Sequence, residues 1–220
     1  NPAVLGAALA PATTRLDIRA GSVVLPLHHP ARVAEEWAVV DNLSRGRVGI
    51  SFASGWHARD FVLRPEAHAE RKRVLSESID TVRRLWRGEK IRFPGPDGEH
   101  EVTTLPRPVQ PELPVWVTAA GNPATFEEAG RLGANILTHL LGQTFEQVEE
   151  KIRIYREARA KAGHPGPGTV TLMLHTFLGD DRGEVEALVR EPMKAYLRSA
   201  FGLVRDNAFD FPVVAKRVEA

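Results

Sequence analysis

With 220 residues, 43% of them hydrophobic and 26% charged, the chain can bury one large core or two small ones. A formal net charge of +1 offers no global field for nucleic acid or an anionic membrane surface, and no apolar run approaches the roughly 20 residues of a spanning helix. The lack of cysteine excludes disulfides, thiolate metal sites and a cysteine nucleophile. The chain opens at Asn1 with no signal-peptide pattern, and a cytoplasmic location is expected.

In chain order, residues 3–10 read as the end of a helix, and LDIRAGSVVL (16–25) is β-rich. Pro30 suits a first helical turn, and the following ARVAEEWAVVDNL carries apolar residues at helical spacing. Ser44-Arg45-Gly46 closes that helix, RVGISFA (47–53) reads as a buried strand, and SGWHARDFVL reads as a loop. Residues 66–87 predict a long amphipathic helix with Val74, Ile79, Val82, Leu85 and Trp86 inward. GPDG within 91–105 suits a hairpin or excursion. PVWVTA (114–119) is the next strand, and a helix over about 124–132 follows. ANILT (134–138) is a strand, and 144–162 is a helix stopped by Gly163 and Pro165. TVTLMLHTFL (169–178) is a strand, and about 181–201 is a helix. The closing FDFPVVAKRVEA shows no clear further strand and helix.

Five strands, each followed by a helix, predict parallel βαβ units with helices outside. The near-continuous apolar runs suit parallel strands covered on both faces. An open doubly wound sheet and an eight-stranded barrel both fit. A barrel usually needs about 250 residues, so five units would be a barrel with pieces missing. In either arrangement ligands bind at the carboxyl ends of the strands.

Those ends are PLHHP (26–30), ASGWH (53–57), AAGN (119–122), THLLG (138–142) and His175-Thr176. They gather small residues, a tryptophan and five of the eight histidines, with few charges. That suits a neutral, flat, partly aromatic ligand better than a metal, and no metal ligands are assigned. At 121–125, Asn122 is a good N-cap, Pro123 a good first-turn residue, and Thr125 adds a hydroxyl. Free N–H groups there favour an anion such as a phosphate, though Gly-Asn-Pro is also simply a good turn and cap. His28-His29 lacks the spacing of a helical metal pair and reads as hydrogen-bonded histidines at a strand end. His57, beside Arg59-Asp60, reads as a loop salt-bridge group, and His175 as a satisfied core histidine. Arg71-Lys72-Arg73 reads as a solvated helix face. No GxSxG, no GxGxxG after a strand and no GxxxxGK[ST] occurs, which counts against a serine hydrolase, a dinucleotide-binding domain and a P-loop enzyme.

RAGSVVLPLHHPARVAEEWAVVDNLSRGRVGISFASGWHARDF resembles the flavin-dependent, bacterial-luciferase-like monooxygenases. LPxxHPxRxAEE followed by DxLSxGR carries the match. The wording is closest to the subgroup associated with nonribosomal-peptide and polyketide biosynthesis. There PRPVQPELPVWVTAAGNPATFEEAGRLGANILTHLLGQ and VTLMLHTFLGDD are also similar. The resemblance implies an α/β fold, a (β/α)8 barrel of luciferase-like type with about five of its eight units in this chain. It implies one domain over 1–220, truncated at its N-terminus and at its C-terminus, with edges covered by missing segments or another chain.

It further implies reduced FMN at the strand ends, reacting with O2 through a flavin hydroperoxide. The substrate would be a small-molecule or carrier-protein-bound natural-product intermediate. A separate flavin reductase and a homo-oligomer are implied, with neither nucleic acid nor membrane as partner. Gly121, Asn122 and Thr125 carry over as phosphate contacts. Ser54, Gly55 and Trp56 would lie along the flavin, Gly21-Ser22 would hold a cis peptide beneath its ring, and His139 and Leu140 would line the ring or substrate side. The catalytic residue stays unassigned, because the family's catalytic histidine would precede residue 1. A deazaflavin-dependent oxidoreductase on the same fold, or a degenerate barrel acting as an interaction module, are the alternatives.

Overall fold

The computed structural model describes residues 1–205, with side chains through residue 200. The FDFPVVAKRVEA reading lies outside the described residues. Helices α1 (Pro2–Ala12), α2 (Pro30–Ser44), α3 (Arg71–Arg87), α4 (Pro123–Arg131), α5 (Phe145–Lys161) and α6 (Arg182–Arg205) alternate with strands. The strands are β1 (Ile18–Val24), β2 (Val48–Ala53), β3 (Ile91–Gly95), β4 (Gly98–Val102), β5 (Val115–Thr118), β6 (Asn135–His139) and β7 (Val170–Met173).

The main sheet is parallel, in the order β1-β2-β5-β6-β7, and β3 and β4 form a separate antiparallel hairpin at the GPDG turn. Strand order follows chain order without reversal. A doubly wound sheet would reverse at a switch point, so the arrangement is that of a barrel wall. The two faces of the sheet confirm it. Ile18, Ala20, Ile50, Phe52, Val115, Val117 and Ile136 join one apolar core with Trp37 of α2, Ile79 and Trp86 of α3, Phe126 of α4 and Tyr155 of α5. The opposite face carries Arg19, whose guanidinium stacks 4.4 Å from the Trp116 ring, and small or hydroxyl residues. A Cβ at Gly49 would come within 2.8 Å of Trp116, and one at Gly21 within 3.2 Å of Leu137. Only one face is therefore covered by helices, which corrects the expectation of apolar cover on both. The fold is α/β, with a curled parallel sheet forming part of a barrel.

The amino-terminal ends of the strands are tied by the segment DNLSRGR (41–47). Asp41 is fully buried, and its carboxylate accepts from the N–H groups of Val109 and Gln110 at 2.8 and 2.9 Å and from Gln110 Nε2 at 2.8 Å. Arg45 ends α2 in the left-handed conformation (φ 58°), and Gly46 donates back to the Asp41 carbonyl at 2.9 Å. The Arg47 guanidinium then donates to the carbonyls of Ala10, Thr13, Leu16 and Ser44 and to the Thr13 hydroxyl. One arginine thus joins the end of α1, the start of β1 and the start of β2.

Three boundaries differ from the sequence reading. The 66–87 helix begins only at Arg71, after a short 3-10 turn at Pro65–Ala67. Its buried stripe includes Leu75 rather than Val74, because 75, 79, 82 and 86 share one face at about 100° per residue. The strand predicted over 169–178 stops at Met173, since among the described residues β7 pairs only with β6, which ends at His139. At the start of the chain, Asn1 caps α1 by accepting from the Ala3 N–H at 3.0 Å.

Candidate active site

At the carboxyl ends of β1, β2 and β5 three hydroxyls meet. Thr118 Oγ1 contacts both Ser22 Oγ and Ser51 Oγ, the latter at 2.7 Å. Three hydroxyls own three hydrogens, and two contacts consume two of them. Ser51 is 3% exposed and has no other side-chain partner among the described residues, so its hydrogen goes to Thr118. The hydrogen left over therefore sits on Ser22 or Thr118, both half-buried at the mouth of the open face. The peptide bond between Gly21 and Ser22 is cis, as the resemblance implies.

Beside this cluster, the β5–α4 turn and the face of α3 border an open cavity of about 370 Å3. Asn122 caps α4, its side chain accepting from the Ala124 N–H at 3.0 Å. That leaves the Gly121 and Asn122 N–H groups and the Thr125 hydroxyl with no hydrogen-bond partner among the described residues. Ser54, Asn122 and Thr125 line this cavity, and so do Lys72, Arg73 and Ser76 of α3. A carboxylate, Glu128, is there as well, but it is neutralised in place. Arg131 at 2.5 Å and the Ser76 hydroxyl at 2.6 Å hold it, and Arg131 foremost keeps its carboxyl below the usual range. Lys72, an Arg73 shared with Glu70 and Glu77, the Ser54 and Thr125 hydroxyls and a helix N-terminus suit an anion, while the Ser76 hydrogen is spent on Glu128. Lys72 and Arg73, read from the sequence as a solvated face, are indeed exposed but also wall this cavity. Lys72 and Ser76 stand four residues apart and so share one helix face, a spacing that could have found them.

The histidines at the strand ends mostly serve the backbone. His29 caps α2 and His57 a 3-10 turn; in each, Nδ1 accepts from the N–H two residues on, at 3.3 and 3.2 Å. His57 is thus a cap, which corrects the salt-bridge reading. His139 Nδ1 accepts from the Leu141 N–H at 3.1 Å, which leaves the ring proton on Nε2. Burial holds its pKa below the ordinary histidine value, in the direction of the neutral ring that an accepting Nδ1 requires. His175 packs its ring 4.7 Å from that of Tyr196 on α6 and is exposed, not in the core.

His139 and Leu140 line a second, larger cavity of about 690 Å3, between the ends of β6 and β7 and the last turns of α6. The candidate residues thus fall into three adjoining places along one end of the sheet: Ser22 by the hydroxyl cluster, Ser54, Asn122 and Thr125 around the anion cavity, and His139 and Leu140 in the larger one. Gly21 is exposed on the open face. Gly55 has φ 79° and a Cβ there would meet Phe61 and Val24, so glycine is required for the turn itself. Trp56 is 38% exposed, edge-on to His57, and lines neither cavity; Gly121 is exposed beside Asn122 with open space in front of it. Among the described residues no helix is long and apolar enough to cross a membrane.

Comparison with known proteins identifies relatives of the chain. The chain is 30% identical, over 201 residues, to the oxygenase component of flavin-dependent trigonelline monooxygenase from Acinetobacter baylyi; the match spans 87% of this chain and 54% of that protein. It is 31% identical over 188 residues to an F420-dependent glucose-6-phosphate dehydrogenase from Amycolatopsis mediterranei, spanning 82% of this chain and 55% of the relative. The chain therefore spans about half the length of these two relatives. The crystal structure of the monooxygenase RslO1 from Streptomyces bottropensis superposes with a TM-score of 0.79 at 28% identity, over 99% of this chain and 66% of that one. Residues 1–213 match the model of the luciferase-like monooxygenases, and the chain belongs to that family.

Proposed function

We propose that the chain forms part of a single (β/α)8-barrel domain of an FMN-dependent monooxygenase. It would use reduced FMN and O2 to oxygenate an uncharged small-molecule or carrier-bound intermediate in natural-product biosynthesis. The observation that carries this reading is the anion cavity at the α4 N-terminus, lined by Lys72, Arg73, Thr125 and Ser54. Its donor set fits a phosphate monoester, and the polar leftovers around Ser22 fit the edge of a flat heteroaromatic ring. When bound, the flavin supplies the activation of oxygen. The chain's own share is positional. The Gly121 and Asn122 N–H groups and the Thr125 hydroxyl hold the phosphate, while Ser54, Gly55 and Trp56 flank the tail and ring. Gly21 leaves the open face clear for the ring's approach, and Ser22 or Thr118 offers one hydrogen to an acceptor on it. A flavin reductase delivers the reduced cofactor, as the oxygenase-component relative suggests, and the enzyme works as a homo-oligomer in the cytoplasm.

A second reading, hydride transfer with the deazaflavin F420, is favoured by the similarity to an F420-dependent dehydrogenase. Titration of the natural-length protein with reduced FMN and reduced F420, followed by mixing with oxygen, separates the two. Tight FMN binding with rapid O2 uptake supports the first reading; F420 binding without O2 uptake supports the second. Asn122→Asp combined with Thr125→Val should weaken FMN binding at least about tenfold, roughly 1.4 kcal/mol, and leave riboflavin binding unchanged. Unchanged FMN affinity would remove the phosphate from this cavity.

A further inference from the structure

We propose that the larger cavity, under α6, is the substrate chamber, and that it accepts an uncharged, mainly apolar molecule with a hydrogen-bond acceptor placed against His139. The proposal rests on the monooxygenase reading for the word substrate, but the binding claim stands on the cavity alone. At about 690 Å3 it lies within the range of small-molecule sites. Its walls are Leu140, Leu141, Leu172, Met173, Leu174 and Leu197, and among the described residues its lining holds no Lys, Arg, Asp or Glu. A carboxylate or ammonium entering there would shed water and find no counter-charge. The neighbouring anion cavity, with Lys72, Arg73 and Glu128, is the opposite case. The two lie side by side at one end of the sheet, over β2 and β5 and over β6 and β7, adjacent strands in its order.

Polarity in the chamber comes from His139, His175 and Tyr196. The Nδ1 of His139 is spent on the Leu141 N–H, so Nε2–H is the donor available, with no protein acceptor among the described residues. A neutral donor in an apolar wall selects a carbonyl, ether or hydroxyl oxygen and gives nothing extra to a pure hydrocarbon. The His175–Tyr196 ring contact ties the end of β7 to α6 and closes one side. Among the described residues, Tyr196, Leu197 and Ala200 of α6 form the other wall, so the helix and the sheet end border a partly open apolar cleft.

The test uses three nine-carbon probes of matched length: 2-nonanone, nonanoate and nonane. Each competes with the neutral dye Nile red on the natural-length protein at pH 8, read by fluorescence. Expected is displacement by 2-nonanone at a concentration at least 30-fold lower than by nonanoate. His139→Phe should weaken 2-nonanone about tenfold and leave nonane unchanged. Leu172→Lys, which puts a cation in the wall, should weaken 2-nonanone at least tenfold and strengthen nonanoate. Circular-dichroism melts show whether each variant is folded, and either variant suffices. Equal binding of ketone and carboxylate, no displacement by the ketone, or ketone binding indifferent to both substitutions overturns the proposal. Failure of the FMN titration with this selectivity intact would overturn the cofactor reading alone.

Discussion

Asp41, beside the amino-terminal end of β2, has its carboxylate filled by three N–H donors, whereas Thr125, beyond the carboxyl end of β5, has a hydroxyl with no partner among the described residues. The same contrast holds for the arginines. Arg47 spends its guanidinium on five oxygens of the fold. Arg73 is tied to Glu70 and Glu77 on its own helix surface, where it still faces a cavity. One end of the sheet satisfies its polar groups internally and stays shut. The other keeps donors in reserve, which costs stability and provides a binding surface.

Substitutions can break this contrast. The largest effect is expected from Asp41→Ala, which strands two backbone N–H groups and one of the two Gln110 amide hydrogens, the other staying on the Val48 carbonyl; about 3 kcal/mol of stability should go. Urea unfolding should show a lower midpoint at unchanged slope, and a midpoint within error of the parent would mean the network is ornamental. Thr118→Val should cost about 1–2 kcal/mol, because the Ser51 hydroxyl is then buried without its acceptor. Thr118→Ser should restore most of that, and equal losses in both variants would point to packing instead of hydroxyl pairing. Thr125→Val should change the unfolding free energy by less than about 0.5 kcal/mol, since that hydroxyl has no partner among the described residues. A large loss there would erase the distinction between the two ends.

Much of the shut end was half legible. The segment DNLSRGR stood out in the sequence and its Ser44-Arg45-Gly46 was read as a helix stop, which it is. That Asp41 holds Val109 and Gln110, 68 and 69 residues away, could not be read, because a hydrogen bond over that span leaves no local pattern. So the stretch that most strongly signalled the family holds the barrel wall together and lies away from the cavities. At the open end, the turn chemistry of Gly121-Asn122-Pro123 was legible because capping is local. The wall opposite was missed: Lys72 and Arg73 belong to a helix whose approach to α4 is a tertiary fact. The strand expected beyond Met173 failed for a similar reason. Apolar and β-branched residues recur as far as Leu178, but β-pairing needs a neighbour, and β6 has already ended.

The unbroken strand order has a consequence for how the molecule forms. Each strand of the main sheet pairs with the main-sheet strand made just before it, and the longest excursion between partners, from β2 to β5, is the one that carries the β3–β4 hairpin. Contacts of short sequence separation are the cheapest to close, so the wall can be laid down strip by strip as the chain is synthesised at about 5–20 residues per second. On that schedule the tie from Arg47 back to α1 is available as soon as β2 emerges. The Asp41 carboxylate must wait for Val109 and Gln110, and the second half of the sheet is added to a base that this late contact locks.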